Sequence, residues 1–272
     1  GLKTAQLAAL TTDPATSLTT NQVAALTSAQ VTGLTTKVVN ARTKAQRQAL
    51  ETTDRAVLKT TQMAALTTDQ SAALTTDQVV ALTSTQVVGL TTAAVNALTT
   101  TQIQAMETTD VAALRTAQVA GLTTDQVANL TTDQVGMLKT AQLAALTTDL
   151  ITNLTTNQVV ALTSTQVTGL TTKMVNALTT TQIQAMETAD IAVLKTTQVA
   201  ALTTDQGAAL TTDQIVALTS VQVAGLTTAV VSALTTTQIQ ALETTDVAAL
   251  KTTQIAKLTT VQVANLTTDQ IG

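Results

Sequence analysis

The sequence predicts an all-α fold, a repeat solenoid of very short helices with one helix per octapeptide. Three observations carry that expectation. The 272 residues divide into 34 blocks of eight without an insertion. Apolar residues hold two fixed places in the block, and helix-start chemistry holds the places between them. Internal periods of this kind are the signature of stacked repeat architectures.

With Leu2 at position 2, a representative block runs Leu74-Thr75-Thr76-Asp77-Gln78-Val79-Val80-Ala81. Leu holds position 2 in 31 of 34 blocks, so this position is assigned to the inner core; the exceptions are Arg42, Met106 and Met186. Thr75 and Gln78 have the spacing of a capping box, in which a hydroxyl and an amide satisfy two free N–H groups at a helix start. Leu74 and Val79 then have the spacing of a hydrophobic staple, and Asp77 lies in the first turn, where the helix dipole favours negative charge. Lys, Arg or Glu at position 3 of other blocks leaves a second N-cap open, position 4, with a helix one residue shorter. Either reading gives five to seven helical residues and then a sharp turn. Pro14 falls in a first turn, where a missing N–H costs little.

One continuous helix does not suit the pattern. Eight residues rotate about 800°, so the Leu stripe would wind around the helix into solvent. A β-solenoid is the alternative fold. It suits the Thr and Val content, but nine Gly and one Pro are few for the turns it needs. A single helix this short is marginal in water, so the blocks must stack on one another.

A longer period overlies the octad. Ser28, Ser84, Ser164 and Ser220 at position 4 are spaced by 56, 80 and 56 residues; Glu51, Glu107, Glu187 and Glu243 at position 3 repeat that spacing. Residues 1–136 and 137–272 are therefore two copies of a 17-octad unit. They are read as one continuous solenoid, a segment of a longer chain that begins here without Met. Lys3, Lys59, Arg115 and Lys139 divide the 17 octads as 7, 7 and 3, which suggests about 3.4–3.5 octads per coil. Gly33, Gly89, Gly169 and Gly225 occupy position 1, where small residues let coils approach closely.

Composition bears on function mainly by exclusion. The chain has no Cys, no His and no aromatic residue, and 11% of its residues are charged, with a net charge of −4. Thiolate and imidazole chemistry, sulfur-ligated zinc and base stacking have no residues to use. The Lys and Arg clusters that bind a phosphate backbone are missing. No apolar run reaches membrane-spanning length. The expectation is therefore a non-enzyme with no catalytic, cofactor-binding or metal residues and no cofactor. Neither nucleic-acid binding nor membrane insertion is expected.

Certain residues have a second reading. Asp69, Asp77, Asp125 and Asp133 offer calcium ligands or helix-start charges; the latter reading is preferred, because calcium needs several converging oxygens. The Thr pairs serve capping and solubility, or else an array that orders water or ice. Arg42, Lys44, Arg47 and Arg55 form a basic break, read as a docking site or bend, or as repeat drift in an exposed coil with Glu51 and Asp54 as partners. Ser71 and Gly207, 136 residues apart, interrupt the apolar position 7 and predict a weak core at one matching place.

Leu74 to Leu82 resembles the first helix of the DNA-binding TAL-effector repeat over nine residues, but the base-reading loop, second helix and basic charge are missing, so the likeness reflects shared helix-start chemistry. The tandem Leu-Thr-Thr-x-Gln-Val-x-Ala pattern, over the whole chain, resembles octad arrays of very large bacterial surface proteins described as adhesins or haem-utilisation proteins. That resemblance implies a location outside or on a bacterial cell. Haem ligation finds no His, Cys or Tyr. The expected function is a structural one: an extracellular fibre, stalk or biofilm-matrix filament that self-associates. The alternative is an adhesin or ice-binding array with a Thr-rich active surface.

Overall fold

The computed structural model describes residues 1–50 and 57–272. Glu51, Asp54 and Arg55 of the sequence analysis lie outside the described residues. Among the described residues the regular elements are 33 helices of four to six residues, with no strand. The chain is an all-α solenoid, and the β-solenoid alternative is overturned. The helices are slightly shorter than the expected five to seven residues.

The N-cap is position 3, so the shorter reading with position 4 as the cap does not hold. Thr211 is extended at φ −71°, ψ 160°, and the helix Thr212–Val216 follows. Its hydroxyl accepts from the Gln214 N–H at 3.2 Å, and its own N–H donates to Gln214 Oε1 at 3.0 Å. Where Lys stands at position 3, half of the box survives. Lys139 has no side-chain acceptor, yet its N–H still donates to Gln142 Oε1 at 2.7 Å. Pro14 removes the donor the hydroxyl would serve, and Thr11 accordingly makes no side-chain cap.

The turns between helices need neither Gly nor Pro. The helix Ser84–Gly89 ends at Leu90 (φ −62°, ψ 145°), and Thr91 (φ −70°, ψ 156°) caps the next. Two extended residues, open to any L side chain, turn the chain, and no described residue has a positive φ. This accounts for the scarcity of turn-formers in an all-turning chain.

The described chain falls into two units, Gly1–Leu138 and Lys139–Gly272. Within each, a helix packs on those three octads before and after it: Ser84–Gly89 lies between Thr60–Ala64 and Thr108–Ala113. Positions 2 and 7 form the core, with Val87 and Leu90 both fully buried. Position 1 is where coils come closest. A Cβ on Gly89 would stand 3.2 Å from both the Cα and the carbonyl oxygen of Thr60, so backbone rather than a yielding side chain fills that space.

Two expectations about the core are corrected. Ser71 and Gly207 do not leave it weak. Ser71 is fully buried and its hydroxyl donates to the Thr67 carbonyl at 3.1 Å. Space above Gly207 is taken by Val230, whose Cγ1 a Cβ at Gly207 would strike. The first copy has Ala94 at the place of Val230, so the larger neighbour stands opposite the smaller residue. The basic break is not an exposed coil either. Arg42 takes the core position of a Leu, only 4% of it is exposed, and neither terminal guanidinium nitrogen has a partner. Burial, and then the nearby Arg47, lower its pKa to about 10. Arg47 donates to the Arg42 carbonyl, and Lys44 is exposed.

A buried guanidinium without partners costs free energy that an apolar side chain does not. Arg42→Leu should therefore raise stability by about 1–3 kcal/mol, measured as a higher denaturant midpoint at constant slope. A loss of stability would mean that Arg42 has a partner in the folded protein.

Candidate functional site

Every position-6 glutamine that follows the first coil faces a choice that its chemistry resolves. An amide carries one acceptor oxygen and two N–H donors. Oε1 is used at the helix start, as above. Nε2 points to the preceding coil. In Gln214 it donates to the carbonyls of Ile183 at 2.8 Å, Gln184 at 3.3 Å and Met186 at 2.8 Å. Those carbonyls belong to the end of a helix and the Leu-type residue after it, groups that a helix C-terminus leaves unsatisfied. Gln126, Gln134 and Gln206 repeat the arrangement on carbonyls 28, 30 and 31 residues earlier. A 28-residue return is 3.5 octads, so the coil lies in the range that the sequence spacing predicts. The amide assignment follows from the network, since only nitrogen can face the carbonyls and only oxygen the N–H.

At ten of the 34 octads the amide is replaced, and the replacements are ordered. Each of Lys3, Lys59, Arg115, Lys139 and Lys195 is followed 35 residues later by an apolar residue at position 6: Val38, Ala94, Leu150, Met174 and Val230. All five are buried. Three others are Asp110, Asp190 and Asp246, and the structure brings each to a position-4 serine of the long period. Ser84 Oγ donates to Asp110 Oδ1 at 2.6 Å, Ser164 to Asp190 at 2.7 Å and Ser220 to Asp246 at 2.7 Å. The three carboxylates are buried, and Oδ2 of Asp246 has no partner. Burial pushes the Asp110 and Asp190 carboxyls above the usual carboxylate range; the serine bond opposes this and Glu107 or Glu187 adds to it. The sequence reading singled out the serines but missed their partners. The signal was available, because Asp110, Asp190 and Asp246 keep the 80 and 56 spacing of the serines.

Beside two of these pairs lies a shallow groove of about 400 Å³, edged by Ser220, Gly225 and Lys251 in one case and by Ser84, Gly89 and Thr60 in the other. Ala249 and Ala113 line the two grooves at equivalent places; at the third pair Val193 stands there instead. Asp69, Asp77, Asp125 and Asp133 are exposed single carboxylates, each in the first turn of its own helix. Among the described residues no group of three acidic side chains could hold a metal ion, and no helix is long and apolar enough to cross a membrane. Chemically, the arrangement binds one coil to the next and brings no nucleophile to a base.

A family model described as the ALTTAQ repeat matches the chain six times in tandem, at residues 48–84, 80–108, 103–140, 138–172, 183–220 and 239–272. No curated protein matches the chain.

The glutamine geometry makes one substitution diagnostic. Gln214→Glu keeps the oxygen that the Thr211 N–H needs but turns a carboxylate toward three carbonyls. It should cost about 1–3 kcal/mol at neutral pH. Part of that loss should return on acidification, when the carboxyl protonates and donates again. A chemical melt at two pH values checks this, and equal losses at both would refute the donor role.

The aspartates set a pH dependence. A carboxyl whose folded pKa is raised contributes stability that is fully present below its unfolded pKa and is lost as pH rises through the folded pKa. The chain should therefore lose stability as pH climbs through and above the ordinary carboxylate range. Asp110→Asn with Asp190→Asn should flatten that part of a Tm-against-pH profile.

Proposed function

Since the chain belongs to the ALTTAQ repeat family, a family of tandem repeats, we propose that it is a structural element: a fibre, stalk or matrix filament outside a bacterial cell, built by self-association without a cofactor and with no enzymatic activity. The observation that carries this reading is the uniformity of the inter-coil bond. The same amide, the same Leu and the same Val or Ile recur in octad after octad. Catalysis needs unlike groups converging at one place, whereas a load-bearing repeat needs like contacts spread along its length.

Self-association is supported by the recurrence of surface as well as core. Val80, Val160 and Val216 are 44%, 42% and 47% exposed, and they are spaced by 80 and 56 residues like the serines. Seven octads bring the coil through two turns, so such patches return to a similar side. Repeated patches allow neighbouring chains to meet in an open assembly, and low charge leaves little repulsion against it. The extracellular bacterial setting rests on the resemblance to surface-protein octad arrays and on a cysteine-free composition, which suits a long chain exposed to changing redox conditions.

Electron microscopy and light scattering of the 272-residue chain with chelator present test the proposal. Filaments or bundles without added metal are the expected result. Monomers that order only on addition of calcium or a surface ligand would favour the adhesin reading instead.

A further inference from the structure

The glutamine ladder has two ends, and they differ in kind. In the first coil Gln6 and Gln22 use Oε1 in their own helices, but both are exposed and Nε2 of neither has an acceptor among the described residues. Gln30 reaches one carbonyl, that of Leu2, at 2.7 Å, where interior glutamines reach two or three. Leu2 beside them is 51% exposed. The opposite end offers the matching groups. Gln270 takes the carbonyls of Ile239, Gln240 and Leu242, and later carbonyls receive no glutamine. Ile255 and Val263 of those last octads are 44% and 49% exposed, although interior residues at their position are buried.

We propose that these faces are complementary and that a second copy of this chain stacks head to tail on the first, its opening coil continuing the ladder. The occupant is identified by the bond already made inside each unit: donor amides facing helix-end carbonyls over an apolar strip. The register is also determined. The 34 octads are two whole 17-octad copies, so octad 1 of the incoming chain takes the place of a thirty-fifth. At the observed separations of 28 and 31 residues, incoming Gln6 falls on the carbonyls of Leu250 and Val247. Incoming Gln22 falls on Leu266 and Val263, and Pro14, which carries no amide, falls between them on Leu258 and Ile255. The replaced glutamine thus lies over a Lys-led helix, that of Lys251, as the 35-residue rule requires.

This deepens the self-association reading and rests on it, but it names an axial joint distinct from lateral contact. The test uses three 272-residue chains in sedimentation velocity: wild type, Gln6→Glu with Gln22→Glu, and Ile255→Glu with Val263→Glu. All five changed or neighbouring sites of this kind are solvent-facing, so far-UV circular dichroism and melting should match wild type. Wild type should give an open series of oligomers that grows with concentration. Either variant alone should need about 100-fold more protein to associate, from two lost donors or a blocked apolar strip. Mixed together, the two variants should stop at a dimer, since each keeps one competent face. Wild-type oligomers that persist in the Gln6→Glu, Gln22→Glu chain would overturn the axial joint while leaving lateral assembly standing. A wild-type chain that stays monomeric at all concentrations would overturn both.

Discussion

The structure depends on one side chain used twice. Each interior glutamine closes the start of its own helix with Oε1 and satisfies the end of an earlier helix with Nε2. A helix of five residues has more unsatisfied backbone groups at its ends than bonds in its middle. No such helix holds in water alone. The amide removes both deficits at once, and it does so only when another coil lies 28–31 residues away. Local structure and stacking are therefore the same event, and a coil without neighbours has no reason to stay helical.

Much of this was legible in the sequence because it is local. Thr211 and Gln214 are three residues apart, and their spacing states the cap directly. The Leu and Val places follow from period alone. The second bond of Gln214 was not legible, since its acceptors are backbone carbonyls that carry no residue signature and lie far back in the chain. The serine–aspartate pairs were half legible. Ser84 was visible by its spacing, but Asp110 was hidden among first-turn acids until the structure placed it 2.6 Å away. Arg42 was misread for a different reason. Charge suggested exposure, yet the octad register places it at a Leu position, and register prevailed.

The departures from the octad show how such a chain accommodates variation. A small residue is offset by a larger neighbour a coil away, as Val230 fills the space over Gly207. A missing amide is replaced by an apolar contact or by a serine–aspartate bond. Each change is matched across coils rather than along the helix, because nearest-coil contacts are the ones that carry stability in a quasi-one-dimensional fold. Only Arg42 has no matching change among the described residues.

Side-chain amide exchange by NMR tests the central claim most directly. If Nε2 of Gln126, Gln134, Gln206 and Gln214 is held by carbonyls of the preceding coil, their amide protons should exchange with water orders of magnitude more slowly than those of Gln6 and Gln22 in dilute solution. They should also show cross-relaxation to residues 28–31 positions earlier. Interior glutamine amides that exchange as fast as Gln6, without those contacts, would contradict the account.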